Sequence, residues 1–209
     1  MTATRLLFLV AVLTVCCAGS LRATFSGLLV IPTAETVGDR EYIVETDLYG
    51  EAPELGADVR LFGAEFGFGN RFECGLNYDY SKHPITTWFV DAKYLIAAGK
   101  TSAAVGFCNV GKHLPPCPYV VGKLPVGTGR LHFGAMRTSA GNNLIVGADT
   151  GFDRAWTLMA DYTSGMANEA SAGVNYQFNP QSGVALGALF PNAGGTSVLT
   201  LQIYFGGSF

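Results

Sequence analysis

Charged residues are scarce in this sequence. They occupy 14% of the 209 positions, against about a quarter in soluble domains. Lysine and arginine together number 13 and are scattered, and the formal net charge is −3, so neither a basic patch for nucleic acid nor a phosphate-binding loop is present. Hydrophobic residues, in contrast, make up 49% of the chain. Part of the surface is therefore expected to face something other than water.

Long hydrophobic runs are absent after the first twenty residues. Residues 1–20 contain one basic residue, Arg5, then an apolar run from Leu6 to Val15 and then small residues, which predicts a cleaved secretory signal peptide. The run is too short for a membrane helix, which needs about 20 residues. A lipoprotein signal at Cys16 or Cys17 is the weaker alternative, because the residues before them fit it poorly. The mature chain is expected to start near residue 21, and it can enter a membrane only as strands.

Helical periodicity is also lacking, whereas apolar and polar residues alternate nearly everywhere. In EYIVETDLYG, Tyr42, Val44 and Leu48 fall on one face, and Glu45 and Asp47 on the other. Turn signals such as GFGN, SKHP and NPQSG separate the runs, which predicts an all-β, up-and-down antiparallel transmembrane barrel of about 12 strands over residues 41–209. Glycines inside the runs are interpreted as permitting the coiling of a narrow barrel; they are Gly75, Gly106, Gly134, Gly147, Gly173 and Gly187.

The alternation has two interpretations. A membrane barrel turns its apolar face to lipid, whereas a secreted or periplasmic soluble barrel buries that face and would bind a lipid or glycan in its core. Low charge, the signal peptide and aromatic residues near the ends of the runs favour the bacterial outer membrane, with its lipid and the barrel-assembly machinery as partners. These aromatic residues are Tyr42, Tyr78, Tyr80, Trp88, Tyr94, Trp156, Tyr162 and Tyr176.

The sequence ends in VLTLQIYFGGSF, which has the pattern of a strand. Membrane strands can pair all their backbone groups only in a closed barrel, so we expect this strand to pair with EYIVETDLYG. The ending also resembles the C-terminal sorting signal of bacterial outer-membrane proteins, at Leu201, Ile203, Phe205 and Phe209, and departs from it at Gly207. A soluble edge strand that happens to be last is the alternative.

A short motif precedes the first predicted strand. In SGLLVIPTAETVGDREYIV, a glycine and an apolar run come before Pro-Thr-Ala, at Gly27, Pro32, Thr33 and Ala34. This opening resembles that of the YjbH-like family of outer-membrane barrels, which is linked to exopolysaccharide gene clusters. GNRFECGLNYDY and SAGVNYQFNPQSGVALGALFPN are similar to other hairpins of that family. The resemblance implies a porin-like or structural protein of exopolysaccharide production or export, with polysaccharide as a partner.

Residues 21–40 lie between the signal peptide and the first predicted strand. Pro32 fixes φ and donates no backbone hydrogen bond, so LLVIPTA is not expected to be a central strand. The segment is either a small plug that enters the barrel or an ordinary leader on the periplasmic side. The sequence does not decide between them.

Charged side chains of the polar face are predicted to line the lumen. Buried charges need partners, so these acids and bases are expected to form a structural network that fills a narrow barrel. A permeation pathway is the alternative. The residues concerned are Glu41, Glu45, Asp47, Asp58, Arg60, Glu73, Asp79, Asp91, Lys93, Arg130, His132, Asp149 and Asp161.

No catalytic, cofactor or metal site is expected. His83 and His113 lie beside prolines in apparent loops, and no serine, including Ser139, has a spacing to His132 that suggests a base and its nucleophile. The chain is therefore predicted to be non-enzymatic. A lipid-modifying outer-membrane enzyme that uses His132 is the alternative.

Three cysteines remain after the signal peptide, Cys74, Cys108 and Cys117. Cys108 and Cys117 flank NVGKHLPP and would close a small disulfide loop in an oxidising compartment, but free cysteine is also common in apolar surroundings. Metal binding by these two cysteines with His113 lacks a fourth ligand nearby.

Overall fold

The structure, a computed structural model, describes residues 27–51, 54–55, 58–84 and 87–209. The predicted signal peptide at 1–20 lies outside the described residues. Among these residues, no helix is long and apolar enough to span a membrane. The strands are Glu41–Gly50 (β1), Val59–Phe68 (β2), Phe72–Asp79 (β3), Trp88–Ala97 (β4), Ser102–Gly111 (β5), Cys117–Val126 (β6), Gly129–Thr138 (β7), Gly141–Gly151 (β8), Trp156–Thr163 (β9), Glu169–Asn179 (β10), Ser182–Pro191 (β11) and Val198–Ser208 (β12).

The twelve strands form one closed sheet. Each strand pairs with its neighbours in the chain, and β12 returns to pair antiparallel with β1. In this closing pair, Glu41 lies opposite Ser208 and Leu48 lies opposite Leu201. The predicted all-β antiparallel barrel of 12 strands is confirmed, and so is the pairing of VLTLQIYFGGSF with EYIVETDLYG.

The connections differ between the two ends of the barrel. Strand β1 begins and β12 ends on one side, which we call the near side; the opposite side is the far side. On the near side, residues 127–128 connect β6 to β7 and residues 180–181 connect β10 to β11. The longest connections, from β1 to β2 and from β3 to β4, lie on the far side. Short turns on one side and longer loops on the other are typical of outer-membrane barrels.

Side chains alternate between the lumen and the outer surface along each strand. In β4, Phe89 and Leu95 are buried, whereas Trp88 is 55% exposed. On the inner face, His132 is 0% exposed and Lys93 is 3% exposed. The barrel therefore has an apolar exterior and a largely polar interior.

Residues 27–40, which we call the inner segment, lie within the barrel. The backbone N–H of Val30 donates to Asp161 of β9, and that of Val37 donates to Glu73 of β3. Because β3 and β9 belong to opposite walls, a segment that contacts both must lie between them. Most of its apolar side chains are buried, including Leu29 at 2% exposure.

The inner segment leaves the lumen along the β2–β3 turn. The backbone N–H of Asp39 donates to Oδ1 of Asn70 over 2.9 Å, and the N–H of Gly69 donates to Oδ1 of Asp39 over 2.6 Å. Gly69 and Asn70 have φ of 60° and 55°, which suits a tight hairpin turn. These reciprocal hydrogen bonds fix the point from which the chain enters β1.

Candidate functional site

The first part of the inner segment packs on three lumen-facing glycines, Gly147, Gly173 and Gly187, which we call the glycine shelf. A Cβ at Gly187 would lie 2.7 Å from Cδ1 of Leu29, and one at Gly173 would lie 2.9 Å from the same atom. A Cβ at Gly147 would lie 2.9 Å from Cδ1 of Ile31. Carbon atoms in contact are normally about 3.5–4.0 Å apart. The wall and the segment fit together because these positions carry no side chain.

Polar wall residues hold the backbone of the same stretch. Oδ2 of Asp161 accepts the N–H of Val30 over 3.2 Å, and Nε2 of Gln202 donates to the carbonyl oxygen of Leu29 over 3.3 Å. Asp161 and Gln202 are each 5% exposed. These bonds satisfy backbone groups that would otherwise be buried without partners.

The next part of the segment is held by β3 and β4. Nζ of Lys93 donates to the carbonyl oxygen of Glu35 over 2.8 Å and pairs with Oε1 of Glu73 at 3.2 Å. Oε2 of Glu73 accepts the backbone N–H of Val37 over 2.8 Å. The ion pair of Lys93 and Glu73 in the barrel wall thus binds the inner segment through both of its side chains.

A chain of charged groups, which we call the latch, joins the inner segment to β6, β7 and β8. Oε1 of Glu35 lies 2.7 Å from Nζ of Lys123, and Oε2 lies 2.8 Å from NH1 of Arg130. Arg130 makes a bidentate pair with Asp149, at 2.7 Å and 2.9 Å. Nε2 of His132 lies 3.0 Å from Oδ2 of Asp149. Glu35 is the only member of the latch that belongs to the inner segment.

The sheet register places the wall members of the latch side by side. Lys123 lies directly opposite His132 in the β6–β7 pair, and Arg130 lies opposite Asp149 in the β7–β8 pair. Residues directly opposite each other point to the same face of the sheet. The wall therefore presents two cationic side chains at fixed positions, and Glu35 reaches both.

Carboxylates dominate the lumen face of β1–β4. Nδ2 of Asn77 donates to Asp91 over 2.7 Å, whereas Oε2 of Glu45 and Oδ1 of Asp47 are buried and have no hydrogen-bond partner among the described residues. Among the described residues of these strands, Lys93 is the one lysine or arginine on this face. We call the carboxylates the acidic wall: Glu45, Asp47, Glu65, Glu73 and Asp91.

Nine of the thirteen predicted lumen charges lie within the lumen, two lie at its mouths and two lie outside it. Asp58 and Arg60 are exposed, and Arg60 has the same strand parity as Phe62, which faces outward and is 48% exposed. The assignment of Arg60 to the lumen was wrong because strand parity, rather than charge, decides the face, and that of Asp58 was wrong because it precedes β2. Glu41 is exposed at the near mouth and Asp79 lies at the far end of β3. The residues within the lumen are Glu45, Asp47, Glu73, Asp91, Lys93, Arg130, His132, Asp149 and Asp161.

Glu35, Lys123 and Glu65 are charged residues of the lumen that were not predicted from the sequence. Glu35 lies outside any strand, so no alternation pattern could place it. Lys123 lies in YVVGKLPVG, where Gly122 and Pro125 obscure the alternation. Glu65 shares the parity of Gly63 in β2. The outward-facing phenylalanines of that strand have the opposite parity, so they could have indicated that Glu65 faces the lumen.

The motif that resembles the YjbH-like family, Gly27 with Pro32, Thr33 and Ala34, forms the first part of the inner segment. Gly27 and Pro32 make an isolated antiparallel bridge, and the N–H of Leu28 donates to the carbonyl oxygen of Ile31 over 3.0 Å. Thr33 and Ala34 follow and are buried. Oγ of Ser102 donates to the carbonyl oxygen of Ala34 over 2.6 Å. The motif therefore builds a tight loop that fits within the barrel.

The three cysteines among the described residues, Cys74, Cys108 and Cys117, are free thiols. Cys108 and Cys117 lie directly opposite each other in the β5–β6 pair, but Sγ of Cys108 donates to the carbonyl oxygen of Cys117 and Sγ of Cys117 donates to that of Pro115. Each thiol is thus directed at a backbone oxygen. Cys108 and Cys117 are therefore free thiols in the structure and do not form a disulfide with each other. Among the described residues, no group of three or more His, Cys, Asp or Glu side chains could hold a metal ion.

The end of the chain lies on the outer surface. Leu201, Ile203 and Phe205 share the outward parity of β12, and Phe205 is 55% exposed. The ring of Phe209 lies 6.1 Å from the rings of both Phe66 and Phe68. These contacts place Phe209 against β2 at the near rim, and the sorting signal remains a prediction.

The barrel is similar to solved structures of porins, although its sequence matches no known family and no curated protein. A KdgM porin has a TM-score of 0.57 at 14% identity, with 80% of this chain and 99% of the porin covered. The KdgM porin in complex with disordered oligogalacturonate has a TM-score of 0.53 at 14% identity, with the same coverage. The outer membrane protein Omp33 of Acinetobacter baumannii has a TM-score of 0.54 at 13% identity, with 82% of this chain and 99% of Omp33 covered. At these identities the likeness is one of fold, and the fold is a porin-like closed barrel.

Proposed function

We propose that this chain is a non-enzymatic, porin-like barrel of a bacterial outer membrane, and that its inner segment closes the lumen. The proposal rests on the position of the inner segment, which contacts opposite walls of a barrel that has an apolar exterior. Outer-membrane lipid and the barrel-assembly machinery are the partners that such a location requires.

The outer surface supports a membrane location. It has aromatic contacts near both rims: on the near side the rings of Trp156 and Tyr176 lie 4.7 Å apart, and on the far side those of Tyr78 and Trp88 lie 4.6 Å apart. Aromatic girdles at two levels with an apolar band between them match the interfaces of a bilayer. Between the strand ends lie outward-facing residues such as Leu186, in the middle of β11, at 51% exposure.

The interior argues against a soluble barrel that binds a lipid. Such a barrel needs an apolar core, whereas Asn175 is 1% exposed, Thr200 is 0% exposed and Asp149 is 3% exposed in this lumen. The Nε2 of His132 contacts Asp149 rather than a serine, which gives no support to an acyl-hydrolysing enzyme.

Closure of the lumen would depend on the latch. Hydrogen bonds to charged groups contribute about 1.5–3 kcal/mol each, and Glu35 makes such bonds with Lys123 and Arg130. A cavity of about 220 Å³ lies beside residues 34–36 on the near side. It gives this part of the segment space to move if the latch is broken.

Planar-bilayer recordings test this proposal with Glu35→Gln. We expect the wild type to show small or rare openings, because the segment is seated. The substitution removes the charge that both cations bind, and a loss of about 2 kcal/mol shifts the ratio of displaced to seated segment on the order of 30-fold. The variant should therefore show markedly larger or more frequent openings.

A matched control removes the same charge elsewhere. Glu51 is exposed beyond the end of β1, so Glu51→Gln should behave like the wild type. Equal conductance of the wild type and Glu35→Gln would contradict closure by the segment. Recovery of the protein in the soluble periplasmic fraction, without heat-dependent gel mobility, would contradict the membrane barrel.

We propose further that a polysaccharide enters the lumen when the segment is displaced, as the resemblance to exopolysaccharide-linked barrels implies. Amide and hydroxyl groups on β10 and β12 support it: Tyr204 Oη donates to Oδ1 of Asn175 over 3.2 Å, and Gln202 lies on the same face. Such groups can hydrogen-bond to sugar hydroxyls. One KdgM porin structure contains disordered oligogalacturonate.

Oligosaccharide block of the Glu35→Gln channel tests this second proposal. A neutral oligosaccharide should reduce the current, and an acidic one of equal length should block it less, because the acidic wall repels anions. Replacement of Asn175 by alanine should weaken the block by the neutral sugar. Currents that neither sugar alters would contradict a polysaccharide path.

A further inference from the structure

The charges of the lumen are distributed unevenly around its wall. The cationic side chains of β6 and β7, Lys123 and Arg130, are engaged with Glu35 and Asp149 in the latch. On β4, Lys93 is bound to Glu73. Among the described residues, Glu45 and Asp47 on β1 and Asp91 on β4 have no lysine or arginine as a hydrogen-bond or ion-pair partner, and they concentrate negative charge along β1–β4.

Two of these carboxylates point to a mobile counter-charge. Glu45 and Asp47 are each 8% exposed, and one oxygen of each has no hydrogen-bond partner among the described residues. A buried carboxylate without a partner is costly unless a cation or a proton neutralises it. Both lie on the same face of β1, so their unpartnered oxygens line one strip of the lumen.

Glycines on neighbouring strands lie opposite two of the acids. Gly63 lies opposite Glu45 in the β1–β2 pair, and Gly75 lies opposite Glu65 in the β2–β3 pair. A Cβ at Gly63 would lie 2.7 Å from Oδ1 of Asn77 and 3.2 Å from Oε1 of Glu45. The absence of a side chain at Gly63 therefore lets Glu45 pack against the wall, where its carboxylate is buried.

We propose that the acidic wall makes this barrel selective for small cations, which pass along β1–β4 when the inner segment is displaced. The inference rests on the proposed channel function and names its substrate class. A narrow, low-dielectric passage with one sign of charge on its wall concentrates ions of the opposite sign. Inorganic monovalent cations such as K⁺ are the simplest members of this class.

Reversal potentials in a KCl gradient test the inference. Purified protein in planar bilayers, as the wild type and as Glu35→Gln, should reverse at a potential of the sign given by K⁺ permeation. The double substitution Glu45→Gln with Asp47→Asn, made in the Glu35→Gln protein, preserves side-chain shape and removes two charges. It should lower the K⁺ to Cl⁻ permeability ratio by about threefold or more.

Controls separate this inference from the proposed function. Glu51→Gln in the Glu35→Gln background should leave the permeability ratio unchanged, and heat-dependent gel mobility shows which variants are folded. If the double substitution does not fold, Glu45→Gln alone gives the same comparison. Current that is anion-selective, or a ratio that the substitutions leave unchanged, overturns the inference while the channel stands. Absence of current from every protein overturns the channel, and the inference with it.

Discussion

Replacement of Gly187 by leucine should force the inner segment off the wall. A Cβ at this position would already lie 2.7 Å and 3.0 Å from the two Cδ atoms of Leu29, and leucine adds three further carbons. Overpacking of a close-fitted site costs about 1–3 kcal/mol, and displacement of the loop around Leu29 relieves it. We expect a several-fold increase in channel openings in planar bilayers, and faster protease cleavage within residues 27–40.

A compensating substitution makes this prediction specific. Leu29→Ala removes the carbons that the new leucine would strike, so the protein with Gly187→Leu and Leu29→Ala should return toward wild-type closure. Leu29→Ala alone should loosen the segment, because truncation of a buried leucine costs about 2–5 kcal/mol. Such reversal is the signature of two residues in direct contact.

Ala188 provides the matched control on the same strand. It follows Gly187 and has the opposite parity, so its side chain is on the outer surface. Ala188→Leu places the same leucine side chain towards lipid and should leave conductance and proteolysis unchanged. If Gly187→Leu also leaves both unchanged, the inner segment does not rest on the glycine shelf.

The strands were predictable because their signal is local. Alternation in EYIVETDLYG assigns Glu45 and Asp47 to one face and Leu48 to the other without reference to any distant residue, and the structure has the same division. Pairing of β12 with β1 followed from the need to satisfy backbone groups at the edges of the sheet. Strand parity also indicates that Arg60 faces outward, since Phe62 lies two residues away on the same outer face.

The position of the inner segment could not be predicted in this way. It depends on complementarity between Leu29 and glycines far away in the chain, Gly173 and Gly187, and these were interpreted only as aids to coiling. The latch could not be predicted for the same reason, because Glu35 contacts Lys123 and Arg130 only after the barrel has closed. Contacts between residues so distant in sequence leave no periodic pattern.

Substitution of Asp149 by asparagine should destabilise the whole barrel. Its carboxylate is 3% exposed and binds Arg130 through both oxygens and His132 through one. Removal of one partner of a buried ion pair typically costs 3–5 kcal/mol, because the other charge stays buried. We expect the free energy of unfolding in urea to fall by about that amount, measured by tryptophan fluorescence of the protein refolded into lipid vesicles.

Asp161→Asn gives a graded comparison. Asp161 is similarly buried but accepts hydrogen bonds from neutral donors, including the backbone N–H of Val30. Asp161→Asn therefore leaves no buried cation without its partner, and it should cost about 1 kcal/mol. Joint replacement of Arg130 by methionine and Asp149 by leucine should recover most of the stability lost in Asp149→Asn, since a buried pair can often be exchanged for apolar residues of similar volume. Equal small losses in Asp149→Asn and Asp161→Asn would contradict a structural role for the latch. A large loss that the joint replacement reverses would establish that the buried guanidinium of Arg130, left with Glu35 as its carboxylate partner, destabilises the wall.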